Sequence, residues 1–400
     1  MVTLSARTTK SVIIIGAGIA GLTAAYRLSR SGHKVTVFET QSRTGGRALT
    51  LSSLFPNDLV AQAGPARIPG DCKRVIGFAD KFGLQLAPFY PSYGTIVAYL
   101  EGKRIADYKP NTKEFWGYVA PTEKNRRGIL GLSLSVAKQI YRMMSRHKKR
   151  PIWMTYGIVG GSALLAEALT RSSKAEFRLN TTVKSVSQDT TGVRIGFVTD
   201  NGEGTAHADY LICAVPLSVL KKLEFSPACT PEKENLIQTI PFSSAIRVFV
   251  HMRRPYWRDC GHNGFAITDT IGEVWDPHHD KTKETALLVC YAQDELARRL
   301  GALSESELLH HVVSELELIF PGARANFVKG ASYDWDKQPW IGGGWPLVRE
   351  GFSEQMSVFR NPDGRVYFAG DYASLPAFPN TMEGAIESGE LAADQIEKAV

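Results

Sequence analysis

Ser11-Val12-Ile13-Ile14-Ile15-Gly16-Ala17-Gly18-Ile19-Ala20-Gly21-Leu22 is the stretch from which the rest of the chain is read. A short β-branched run ends in Gly16, Gly18 and Gly21, and a helical pattern through Leu22, Ala25, Tyr26 and Leu28 follows until Gly32. A second strand, Lys34-Val35-Thr36-Val37-Phe38, closes on an acid, Glu39. Each glycine has a distinct task. Gly16 permits the tight turn, Gly18 lets the backbone approach a pyrophosphate, and Gly21 lets helix and strand pack closely. The phosphates then rest on the helix N-terminus. A triple-glycine match alone is weak; the preceding strand, the following helix and the acid make it a dinucleotide fingerprint.

Glu39 can accept hydrogen bonds from ribose hydroxyls and would repel a 2′-phosphate, which disfavours NADP. The next stretch, Glu39-Thr40-Gln41-Ser42-Arg43-Thr44-Gly45-Gly46-Arg47, adds a glycine pair and a cation just beyond the acid. The pair lets the backbone turn close to a diphosphate, and Arg47 can neutralise it. This stretch resembles the flavin amine oxidase superfamily, whose members carry an acid followed by Arg-x-Gly-Gly-Arg here. The resemblance implies FAD, held non-covalently, on Gly16, Gly18, Ala20, Gly21, Glu39, Thr40, Gly46 and Arg47.

The chain has 400 residues, 44% of them hydrophobic and 22% charged, enough for two soluble domains. A net charge of +7 is a mild excess and argues against a nucleic-acid partner. The densest basic cluster, Arg142 to Arg150, reads as a solvated helix end. No apolar run reaches the length of a membrane span, and the lead before Ser11 is short and polar, so a cytoplasmic protein without membrane attachment is expected. Five scattered cysteines read as reduced thiols, and neither they nor the histidines have metal-ligand spacing.

The fold class expected is α/β: a discontinuous Rossmann-like FAD domain plus a mixed α+β substrate domain with a helical insertion. Residues 1–70, 171–224 and 356–400 are assigned to the FAD domain, 71–105 and 225–355 to the substrate domain, and 106–170 to the helical segment. Phe177 to Val186, Gly192 to Thr199 and Ala208 to Pro216 read as strands, the last buried and stopped at a Pro turn. The chain closes with Phe368-Ala369-Gly370-Asp371 and a helix from Thr381 to about Lys398. That ending also looks like the flavin amine oxidases. By the same likeness Gly370 and Asp371 approach the ribityl-phosphate end, Val183 offers its backbone to the adenine, and Thr381 and Met382 present a helix N-terminus to the flavin pyrimidine.

Gly64-Pro65-Ala66-Arg67-Ile68-Pro69 resembles the L-amino acid oxidase branch, with Ala66 beside the cofactor. There the arginine, here Arg67, grips the substrate α-carboxylate; its planar fork suits that bidentate task. The alternative is a structural arginine paired with a core acid. Arg247 falls where many relatives have a lysine that handles oxygen, which makes a dehydrogenase, desaturase or decarboxylating monooxygenase the competing outcome. Trp345 falls on one aromatic wall beside the flavin, and Thr381 takes the opposite wall. Gly344 stands where monoamine oxidases carry their flavin-linking cysteine. The activity implied is oxidation of the Cα–N bond of an L-α-amino acid by hydride transfer to flavin N5. Products are imino acid, then keto acid and ammonia, with hydrogen peroxide formed from dioxygen. A homodimer is one assembly left open, and Tyr372 is divided between cofactor contact and packing.

Overall fold

The computed structural model describes residues 8–56, 59–108, 155–279, 286–347, 355–375 and 378–399; the helical reading of 112–150 and the basic cluster within it lie outside them. A five-stranded parallel sheet has the order Glu176–Arg178, Lys34–Phe38, Ser11–Ile15, Tyr210–Cys213, Val366–Phe368. Period-2 alternation sends Val12 and Ile14 to one face and Ile13 and Ile15 to the other, where different partners bury them. Leu22 and Leu28 of helix Ile19–Arg30, Leu165 and Leu169 of helix Ala163–Ser172, and Ile386 and Ile396 of helix Met382–Ala399 cover the first face. The second face meets Val186 and Ile195 of a four-stranded sheet. Close helix packing depends on small residues: a Cβ on Gly21 would lie 2.1 Å from the Gly16 carbonyl oxygen, and one on Gly389 2.3 Å from that of Ala20.

Register decides where a ligand can sit. Ile15 lies opposite both Phe38 and Cys213, Phe38 opposite Arg178, and Cys213 opposite Phe368. The strands therefore end at one level, and the segments after them crowd one edge of the sheet. Ligands of open α/β sheets bind in the crevice outside those carboxyl ends.

Two strand readings need correction. Phe177 to Val186 is not one run: Glu176–Arg178 belongs to the parallel sheet and Thr182–Gln188 to the four-stranded one. Asn180, at φ 51°, makes the corner, a conformation Asn tolerates. Ala208 to Pro216 also divides, because Gly202–Ala208 pairs back on Val193–Thr199 before Tyr210–Cys213 enters the parallel sheet. The Asp209 carboxylate fixes that corner by accepting from the Ser11 backbone N–H (2.7 Å) and hydroxyl (2.8 Å). Within the segment read as helical, Thr155–Ile158 is a strand between Ile68–Pro69 and Leu86–Pro88.

A seven-stranded sheet runs Phe327–Asp334, Ala245–Met252, Ala286–Gln293, Glu273–Trp275, His262–Thr268, Thr95–Leu100, Lys103–Tyr108. Ile246, Val248, Val250 and Met252 point to the core that Leu308, Val312 and Leu316 of helix Glu305–Ile319 complete. Ser304 starts that helix with a capping box to Glu307, satisfying N–H groups the helix itself leaves orphaned. Ala245 and Phe249 belong to the opposite face with Trp275, Leu287 and Val289. Among the described residues no helix is long and apolar enough to cross a membrane.

Candidate active site

A cavity of about 500 Å³ runs from the carboxyl ends of the parallel strands to the inner face of the seven-stranded sheet. Its cofactor end is built largely from backbone. Gly18 is the N-cap of helix Ile19–Arg30, and a Cβ there would meet nothing within 4 Å, so the space beside it is open. The Gly45-Gly46 turn lies against it through a Gly18–Gly45 bridge. Glu39 is buried; its carboxylate accepts from the N–H of Ala17 (2.7 Å) and of Gln41 (2.9 Å). Each oxygen keeps a further acceptor site for a sugar hydroxyl. Burial raises the pKa of Glu39, outweighing the backbone hydrogen bonds that lower it.

Arg47 does not stand free. Its guanidinium grips Asp371 bidentately (2.9 and 2.5 Å) and donates to the Gly344 carbonyl (2.9 Å). The opening Gly-Gly-Arg turn and the closing Gly-Asp turn are thereby tied at the cavity wall. Thr381 caps the last helix: its hydroxyl accepts from the Gly384 N–H (3.0 Å) and donates to the Phe378 carbonyl (2.8 Å). The electropositive end of that helix faces the cavity through Thr381 and Met382.

Gly16, Gly18, Ala20, Glu39, Thr40, Gly46, Arg47, Arg67, Val183, Arg247, Trp345, Gly370, Asp371, Thr381 and Met382 all line this one cavity. Gly21 and Ala66 do not. Gly21 faces the Gly16 carbonyl in the strand–helix contact, and Ala66 packs beside the Leu49–Trp335 cluster. Tyr372 is also outside, buried edge-on to Phe359 with ring centroids 5.2 Å apart.

The other end of the cavity is made by side chains. Tyr333, Arg247, Tyr291 and Glu273 lie opposite one another on four adjacent strands. Arg67 forms an ion pair with Glu273 and lies over Phe89 (4.9 Å), Trp275 (5.2 Å) and Tyr90 (6.0 Å). Burial would lower the pKa of Arg67, but Glu273, with help from Tyr90 and Tyr291, raises it instead. Arg247 donates to the Gln62 carbonyl (2.5 Å) and lies over the rings of Tyr291 (4.7 Å) and Trp275 (5.2 Å). Burial pulls its pKa down to about 10, so it remains a cation at neutral pH. Trp335 is both core and wall: it is buried, donates to the Ala63 carbonyl (3.1 Å) and borders the cavity.

Glu273, Tyr291 and Glu383 went unread in the sequence. Glu383 is buried and accepts from the N–H groups of Arg74 and Val75, so it occupies the start of helix Lys73–Phe82. An acid between apolar residues in Glu273-Val274-Trp275 was the available signal, but only strand register brings it to Arg67.

Residues 19–154 and 132–397 match the family described as flavin containing amine oxidoreductase. The chain belongs to the flavin-containing amine oxidoreductases. Within this family it is 25% identical to an L-amino-acid oxidase of Demansia vestigiata, covering 98% of this chain and 87% of that protein. It is 26% identical to a putative L-amino-acid oxidase of Bacillus subtilis (strain 168), over 95% of this chain and 93% of the relative. Among solved structures, cyclohexylamine oxidase from Brevibacterium oxydans IH-35A shares its fold at a TM-score of 0.81 and 21% identity, covering 98% and 99% of the two chains. Putrescine oxidase bound to putrescine gives 0.79 at 20% identity. The residues present fit the family's FAD: an open backbone cradle at Gly18, acceptor sites on Glu39, and a helix N-terminus at the far end.

Proposed function

We propose that this amine oxidoreductase is an L-amino acid oxidase in which Arg67 holds the substrate by its α-carboxylate. The observation that carries this reading is the charge of the substrate end, where two guanidiniums face one carboxylate, Glu273. A simple amine has no group for the surplus cation; an α-amino acid has one. FAD held between the Gly18 turn and the start of helix Met382–Ala399 would supply the two-electron acceptor for the Cα hydride, with dioxygen as the final oxidant. The chain's own residues bind and orient. Arg67 fixes the carboxylate, and Trp345 and Trp335 wall the space beside it. Residues 1–70, 171–224 and 356–400 would carry the cofactor, with Arg67 among them reaching the substrate, and 71–105 with 225–355 would complete the substrate side.

The test is an anaerobic screen of the twenty L-amino acids against the yellow protein, followed by aerobic product analysis. Bleaching by at least one amino acid, with keto acid, ammonia and peroxide formed in equal amounts, is expected. Bleaching without peroxide would replace the oxidase with a dehydrogenase, and no bleaching by any amino acid would overturn the reading.

A further inference from the structure

We infer that Arg247 is a second carboxylate-binding residue and that Glu273 sets the charge the pocket accepts, suiting it to amino acids with one carboxylate and not two. This rests on the amino acid reading above. Arg67 is already committed, because one of its guanidinium nitrogens is paired with Glu273 and its plane lies among Phe89, Tyr90 and Trp275. Arg247 differs. It is only 6% exposed, its Nη1 meets a backbone carbonyl where Arg67 has a carboxylate, and its Nε, like that of Arg67, is buried without a partner among the described residues.

The nearest acid, Glu273, is ion-paired with Arg67, and a buried cation that shares a counter-charge already engaged elsewhere is costly unless a partner arrives. Among the described residues, no other acid lining the cavity is free to serve. Glu39 is held by backbone N–H groups, Asp371 by Arg47, and Glu383 by Arg74 and its neighbour's N–H. Nor is Arg247 placed to swing away, since it sits on a central strand between Tyr333 and Tyr291. With Glu273 present the substrate end carries one net positive charge, matched by one carboxylate. A second carboxylate on the substrate would face Glu273, with both guanidiniums of that end already engaged.

The test uses FAD-loaded protein and 4-methylpentanoate, a carboxylate without an amine and therefore not oxidisable, with binding read by calorimetry. R247Q should weaken binding on the order of tenfold or more, R247K should restore part of it, and the neutral 4-methylpentanamide should not distinguish the variants. Carboxylate binding by R247Q within about twofold of wild type would overturn the role of Arg247. E273Q removes the negative charge independently. It should raise kcat/KM for L-glutamate relative to L-leucine by about tenfold, and an unchanged ratio would overturn the charge count. Should R247Q not retain FAD, the E273Q ratio decides. Wild-type protein that is reduced by no amino acid would sink the amino acid reading itself; wild-type activity with unmoved variants would sink only this inference.

Discussion

The two ends of the cavity are built by opposite means. At the cofactor end the groups offered are backbone: the turn at Gly18, the N–H groups that hold Glu39, and the start of helix Met382–Ala399. At the substrate end they are side chains raised from one sheet face: Arg247, Tyr291 and Glu273, with Arg67 facing them. A backbone cradle is written locally, in glycine spacing, and serves one ligand. A side-chain row is written across strands distant in sequence, and single substitutions can retune it. The cofactor end should therefore fail through shape and the substrate end through charge.

The largest effects test shape. Gly21→Val places a Cβ within 2.1 Å of the Gly16 carbonyl oxygen, so folded protein should not be recovered. Gly18→Val, where a Cβ meets nothing within 4 Å, should fold but lose FAD, as read by circular dichroism and flavin absorbance. If Gly18→Val keeps its yellow colour, the cradle is elsewhere.

Charge comes next. Arg67→Ala should retain FAD yet lose on the order of 100-fold in kcat/KM for amino acids, the worth of a charge-assisted bidentate contact. It also strands Glu273 and should cost about 1–3 kcal/mol of stability. Removing Glu273 as well should recover much of the melting temperature and none of the activity, which separates pairing from substrate binding.

Asp371→Asn should release Arg47 and weaken FAD binding by roughly tenfold, measured by flavin fluorescence, without changing substrate preference. The smallest effect is in pH. Burial holds Arg247 near a pKa of about 10, so carboxylate affinity should be level at neutral pH and fall as pH rises through about 10. The fall should be partial, because Glu273 keeps Arg67 charged above that range.

The same contrast explains what could be read in advance. Gly16, Gly18, Glu39, Gly370 and Thr381 were legible because a turn, an acid and a helix start are local patterns, and all five line the cavity. Arg67 and Arg247 were legible as positions, but not in their pairing. That Arg67 meets Glu273, and Arg247 a carbonyl, follows from register between strands far apart in the chain. The sequence offers Arg47 as a cation for the diphosphate but hides its pairing, because Asp371 lies at the other end of the chain. The packing role read for Gly21 is the one the fold shows, whereas the resemblance that sets Gly21 and Ala66 beside the cofactor does not tell a residue that touches a ligand from one that lets two elements pack.

The sharpest measurement compares L-leucine with 3-methylbutylamine, the same molecule without its carboxylate, as anaerobic reductants of the bound flavin. Leucine should reduce the flavin at least about 100-fold faster at equal concentration, and Arg67→Ala with Arg247→Gln should abolish the difference. Equal reduction by the amine in wild-type protein would contradict recognition through the carboxylate.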